Sequence, residues 1–395
     1  MEVHHVAVCI FVAGLVVGIS DVNHHAGASS IRDDDWQLNP VSQFTPSFEE
    51  VMYTQDRGIA IGQAIEEIET RERLQPILDM AESLPGFAGA WIDRSSGLVL
   101  VVRFAGDVPT EIADAGRGLP VDFRGGASFS IRSLMRQQST LREDLLAHGF
   151  TDLVSGIDVF TGNLEVTVQV PSGQRAPRGL VPDSVLASNV SLLVESQSIG
   201  RDEHTYGGDS LVDDDGVFRC TTGFVVTDGS EDGVLTAGHC PNELNYQENS
   251  GNTYDALFKA QYKGYYGDYQ WHTTSHTGFN KYYFNDTIRR SVPAIGGAPA
   301  VDDYRCFHGE ASGGNSCDYV YMTMVNVVRD GVSYERLVAM DSDNTIGGDS
   351  GGPWFSGSTA WGIHKGDETM GGTVRNIWSQ ARFVNAALGV TIRTS

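Results

Sequence analysis

The chain has 395 residues, more than one ordinary core accommodates, so at least two domains are expected. Its 46 glycines against 13 prolines, with no Gly-X-Y period, mark a turn-rich β protein and exclude a collagenous one. A formal charge of −24 argues against a nucleic-acid binder or a polybasic membrane-surface protein.

Val6 to Ile19 is an apolar run too short to span a bilayer. Its place near the N-terminus, ahead of Ala26-Gly27-Ala28, reads as a secretory signal peptide over residues 1–28, although the leading MEVHH lacks Lys and Arg. Cleavage is expected between Ser20 and Ala28, with a secreted product. It would remove Cys9 and leave Cys220, Cys240, Cys306 and Cys317, an even set that an oxidising compartment lets pair. Three connectivities are open. The local one, Cys220–Cys240 with Cys306–Cys317, closes two short loops. A zinc site is the alternative use, disfavoured by the lack of any C-x-x-C spacing.

Residues 48–84 read as helical, because Ile61, Ala64, Ile65 and Ile68 repeat at helical spacing and Leu74, Ile77, Leu78 and Ala81 continue the stripe until Pro85-Gly86. Gly97 to Ala105 alternates as a strand. A second helix is expected over Ser130–His148, stopped by Gly149. A hairpin follows, Ile157–Phe160 and Leu164–Val170 around Thr161-Gly162-Asn163. Residues 29–170 are therefore expected to be α+β. Residues 171–204, rich in Pro, Gly, Ser and Arg, read as a connection, with a further strand at Val190–Val194. From 205 to 395, short strand-like runs alternate with turns, the texture of an all-β barrel pair, and only Ile377–Leu388 suggests a closing helix.

Two strings in the last region carry chemistry. Gly347-Gly348-Asp349-Ser350-Gly351-Gly352-Pro353 puts a serine on a glycine turn, where the hydroxyl is exposed and neighbouring N–H groups are bare. Thr236-Ala237-Gly238-His239-Cys240 supplies a histidine able to take the serine's proton. With Cys220-Thr221-Thr222-Gly223-Phe224-Val225-Val226 and the Cys306–Cys317 loop, residues 205–395 resemble a chymotrypsin-like serine protease of the bacterial alpha-lytic protease and streptogrisin branch. Phe87-Ala88-Gly89-Ala90-Trp91-Ile92-Asp93 and Ile157-Asp158-Val159 look like that branch's folding pro-region.

The resemblance implies two antiparallel six-stranded β-barrels behind an α+β pro-domain. Ser350 would be the nucleophile and His239 the general base, with an oxyanion hole from the N–H groups of Gly348 and Ser350. The triad carboxylate is assigned to Asp268, heading Asp268-Tyr269-Gln270-Trp271; Asp286 is the second choice, and Asp255 stands too close behind His239. Phe307 replaces the arginine that usually partners the buried acid at Asp349, leaving Arg305, His308 or a new N-terminal amine as candidates. The substrate pocket would be lined by Thr345, His364, Lys365, Gly366 and Asp367. His364 and Lys365 favour an acidic residue before the scissile bond; Asp367 opposes it.

The remaining patterns are weaker. Asp213-Asp214-Asp215-Gly216 lacks the alternating ligands of a calcium loop, and His272-x-x-x-His276 lacks a zincin glutamate. No metal or cofactor is expected. The expected protein is a secreted, monomeric serine endopeptidase made as a precursor. Its partners would be peptide substrates and its own pro-region, with no stable membrane association. An inactive homologue that binds proteins through the cleft is the alternative.

Overall fold

The computed structural model describes residues 46–150, 152–170, 189–196, 208–247, 253–274, 280–283 and 289–394. The signal segment and the connections 171–188 and 197–207 lie outside them.

The first expected helix is two. Ser47 caps Phe48–Arg57 in a reciprocal box with Glu50, and Gly58, at φ +63°, ends it. Helix Ile61–Ser83 then runs through Pro76 and buries Leu74, Ile77, Leu78 and Ala81. It packs on a sheet of Phe87–Asp93, Val99–Ala105 and Val121–Ala127, whose last strand and preceding short helix, Thr110–Ala115, were not legible in the sequence. Helix Ile131–Ala147 and the hairpin Leu153–Asp158/Asn163–Val170 follow. Strand Val190–Ser196 joins the hairpin in parallel.

Two large sheets and the two-stranded pair Lys281–Tyr283/Arg289–Ser291 make up the rest. One is an eight-stranded run from Ser210–Val212 to Thr273 and Thr274 at the end of Gly267–Thr274, completed by the two-residue strand Thr391–Ile392; six strands were expected there. In the other, Tyr304–Gly309, Pro353–Ser356, Thr359–Met370, Thr373–Gln380, Val332–Met340 and Gly314–Arg329 pair in turn. Because Gly314–Arg329 also pairs with Tyr304–Gly309, these six return on themselves. The expected closing helix starts later than Ile377: that stretch is the end of strand Thr373–Gln380, and the helix is Val384–Leu388.

The amino-terminal region is continuous with the second sheet. Val154 and Ser155 of the hairpin pair with Val327 and Asn326, so Leu153–Asp158 continues the sheet from Gly314–Arg329 to Asn163–Val170 and the edge strand Val190–Ser196. Side chains follow the backbone. Val154 is buried among Val325, Val327, Tyr334 and Leu337, while Ala298, Ala300, Val301, Met324 and Val328 enter the amino-terminal core. Residues 46–395 thus form one compact unit.

Val154→Asp would place a carboxylate in that apolar contact without a partner. A loss of stability of about 3 kcal/mol is expected, with faster amide hydrogen exchange at 153–158 and at 323–328. Unchanged protection at 323–328 would contradict the shared sheet.

Candidate active site

His239 sits in the turn after strand Asp232–Thr236, Asp268 at the head of Gly267–Thr274, and Ser350 in the glycine turn before Pro353–Ser356. The structure brings the three together. His239 Nδ1 lies 2.5 Å from Asp268 Oδ2, and His239 Nε2 lies 2.9 Å from Ser350 Oγ. Asp268 is fully buried. With its carboxylate as acceptor, the imidazole proton belongs on Nδ1, which turns the lone pair of Nε2 toward the hydroxyl. Glycine is required at 238, since a Cβ there would come within 2.6 Å of Asp268 Oδ1 and 2.7 Å of Tyr262 O.

The two catalytic turns are latched through one strand. The Cys220–Cys240 disulfide joins Phe218–Thr221 to the His239 turn. From the same strand, the Thr221 N–H donates to Ser350 O at 2.7 Å and the Thr221 hydroxyl donates to Gly348 O at 2.9 Å. The Thr236 hydroxyl donates back to Thr221 O. Gly348, at φ +114°, takes a conformation that side chains disfavour. Among the described residues, the N–H groups of Gly348 and Ser350 donate to no acceptor.

Asp349 is buried, and among the described residues no lysine or arginine pairs with it. Its carboxylate accepts the N–H groups of Ser312 at 3.2 Å and Ile346 at 3.0 Å. Burial pushes it up to about 6, only partly offset by those N–H bonds. The partners considered from sequence are engaged elsewhere: Arg305 binds Asp303, and His308 Nδ1 lies 2.7 Å from Asn315 Oδ1. Residues 197–207, directly before Gly208, are outside the described ones.

The pocket residues divide. His364 Nδ1 accepts the Trp354 indole N–H at 3.4 Å, in a buried aromatic cluster with Phe307. Burial foremost, with the nearby His239 and Lys365, pulls His364 down to about 3, so it is neutral at neutral pH. Lys365 is engaged within its own sheet. Its ammonium is buried 3.5 Å from Glu368 Oε1 and 4.9 Å from the Tyr334 ring centroid, so its charge is taken up there. Glu368 also binds Arg329 at 2.5 Å. Gly366 bends the strand at φ +146°. Asp367 is partly buried; burial first, then Asp343 and Glu368, raise it to about 6. Thr345 accepts from Asn376 Nδ2 at 2.7 Å, and that amide also reaches Asp343 at 2.9 Å.

Other candidates separate from the trio. Asp255 pairs across the strands with Asn245, and Asp286 and His276 lie outside the described residues. His272 is buried on Gly267–Thr274, with Nδ1 2.9 Å from Ala256 O. Asp213 holds Arg219 and the N–H groups of Asp215 and Val217 in an acidic turn. The second cysteine pair, Cys306–Cys317, bridges directly opposed strand residues.

No protein-family profile and no curated protein matches the chain. Among solved structures it is similar to bacterial chymotrypsin-like serine proteases. A glutamic acid-specific serine protease with a histidine triad in substrate binding is 22% identical at a TM-score of 0.39, over 48% of this chain and 100% of that one. Cellulomonas bogoriensis chymotrypsin is 20% identical at 0.39, over 48% and 99%. Thermobifida fusca protease A is 22% identical at 0.38, over 48% and 98%.

The raised Asp349 makes a signed prediction. The folded state keeps a proton there that the unfolded chain gives up near pH 4, so this group's contribution falls as pH rises through about 6. Urea unfolding of Asp349→Asn is expected to lose about 2–3 kcal/mol of the parent's fall in stability between pH 4 and 7. The same pH slope in variant and parent would contradict the cation-free cage.

Proposed function

We propose that the chain is a serine endopeptidase that works through an acyl-enzyme, made as a secreted precursor whose residues up to about 204 act as a pro-region. The observation that carries this is the 2.5 Å and 2.9 Å pair of contacts on opposite nitrogens of His239. In this reading His239 Nε2 takes the Ser350 proton as Oγ attacks a peptide carbonyl. Asp268 stabilises the resulting imidazolium, and the N–H groups of Gly348 and Ser350 hold the oxyanion. His239 then gives its proton to the leaving amine, and water, activated the same way, releases the acyl group. An oxyanion donor of this kind contributes roughly 3 kcal/mol to the transition state.

The disulfides fit an oxidising compartment, and no helix among the described residues is long and apolar enough to cross a membrane. The shared sheet supports a physical role for the pro-region, which would supply paired strands and core to a β topology of high contact order. Lys365 is committed to Glu368 and His364 is neutral, so neither brings a free positive charge to an acidic substrate side chain.

A phosphonate serine probe is expected to label Ser350 in the processed protein and to spare Ser350→Ala. Asp268→Asn is expected to keep its circular dichroism spectrum and lose roughly 10⁴-fold in turnover. Folded protein that the probe leaves unlabelled would replace the enzyme with a peptide-binding homologue. Turnover of Asp268→Asn within tenfold of the parent would remove Asp268 from the triad.

A further inference from the structure

The seam between the amino-terminal segment and the second barrel contains a charge cluster that the proposed chemistry does not use. At its centre is Asp303, fully buried just before strand Tyr304–Gly309. Its Oδ2 accepts the Ala300 N–H at 2.8 Å and Arg305 Nη2 at 2.8 Å. Arg305 lies on the indole of Trp361, its guanidinium carbon 3.7 Å from the ring centroid. Burial pulls Arg305 down to about 9, which leaves it charged at neutral pH. All four residues belong to the catalytic half, so that half orients the carboxylate by itself.

Arg71, on helix Ile61–Ser83 of the amino-terminal segment, occupies the remaining edge. Its Nε donates to Asp303 Oδ1 and its Nη2 to Oδ2 at 2.5 Å, a two-pronged pair. Its guanidinium carbon is also 5.9 Å from the centroid of Trp361. A planar fork facing a carboxylate and an indole face is a recognition mode for guanidinium that an ammonium meets poorly. The helix is aligned by two further contacts one and two turns beyond Arg71. Gln75 Nε2 donates to Ala298 O at 2.9 Å, and Asp79 Oδ1 accepts the Ala298 N–H at 2.8 Å.

We infer that the catalytic half carries a guanidinium-binding exosite, formed by Asp303 and Trp361 with Arg305 as support, which Arg71 fills in the precursor and which holds the amino-terminal segment after the chain between them is cut. The inference rests on the reading above that this segment is a pro-region separated by cleavage. Strand Leu153–Asp158 and the Glu82–Arg382 ion pair are further attachments, so the segment binds at several places and its retention exceeds what the cluster supplies alone.

The test uses full-length Ser350→Ala with a recognition sequence for a specific protease inserted within 197–207. After the cut, the two pieces are expected to co-elute on gel filtration. Arg71→Ala is expected to weaken their association at least about 30-fold, the scale for removing one partner of a buried charge pair. Arg71→Lys should fall between, and Glu82→Gln, which loses a different ion pair across the seam, should cost less. Millimolar methylguanidinium, and not methylammonium, should restore part of the association in Arg71→Ala. Undiminished association in Arg71→Ala, or equal rescue by both cations, would overturn the exosite. Because the binding series is read on Ser350→Ala, it stands apart from the labelling of Ser350 in the parent, whose failure would instead remove the protease reading.

Discussion

The proposed chemistry depends on one side chain held from two sides. His239 must present opposite nitrogens to a buried carboxylate and to a hydroxyl, and these come from turns 29 and 111 residues away in sequence. No local interaction brings such turns together. Strand Phe218–Thr221 does, through the Cys220–Cys240 disulfide to the histidine side and the bonds of Thr221 to Gly348 and Ser350 on the serine side. Burial of Asp268 completes the arrangement, because a carboxylate withdrawn from water acts strongly on the one group it contacts.

The second constraint is the sheet shared between the two parts of the chain. Gly314–Arg329 closes the six-stranded barrel by pairing with Tyr304–Gly309 and, further along, pairs with strand Leu153–Asp158. That barrel also carries the Ser350 turn and the strand with His364 and Asp367. Order in the amino-terminal segment is thereby coupled to order around the nucleophile by continuous packing. The ion pairs along helix Ile61–Ser83, Arg71 with Asp303 and Glu82 with Arg382, add geometric specificity to that apolar contact.

Much of the architecture was legible in the sequence. The periodicity of Leu74, Ile77, Leu78 and Ala81 and the alternation of Leu164 to Val170 lie on elements that the structure contains. The break at Gly58 was missed because the flanking residues keep helical spacing on both sides. The tail helix was placed too early because Ile377 to Gln380 is buried between two strands, pairing with Thr359–Met370 and, at Ile377 and Trp378, also with Val332–Met340. In the site, Ser350 and His239 announce themselves by short motifs, since a glycine turn and a small-residue turn are local requirements. Asp268 was reached through motif context. The partners of Lys365 were not legible, because its pairing with Glu368 and its ring contact with Tyr334 depend on strand packing that spacing does not encode. The Asp303 cluster was invisible for the same reason, its cations coming from residues 71 and 305.

The central claim is acyl transfer to Ser350, and trapping the acyl group tests it most directly. The processed protein, mixed with an activated ester at mildly acidic pH, should release one equivalent of leaving group in a burst and gain one acyl group on the peptide that carries Ser350. His239→Ala should abolish both. Steady release without a burst, or an acyl group on another residue, would contradict the account.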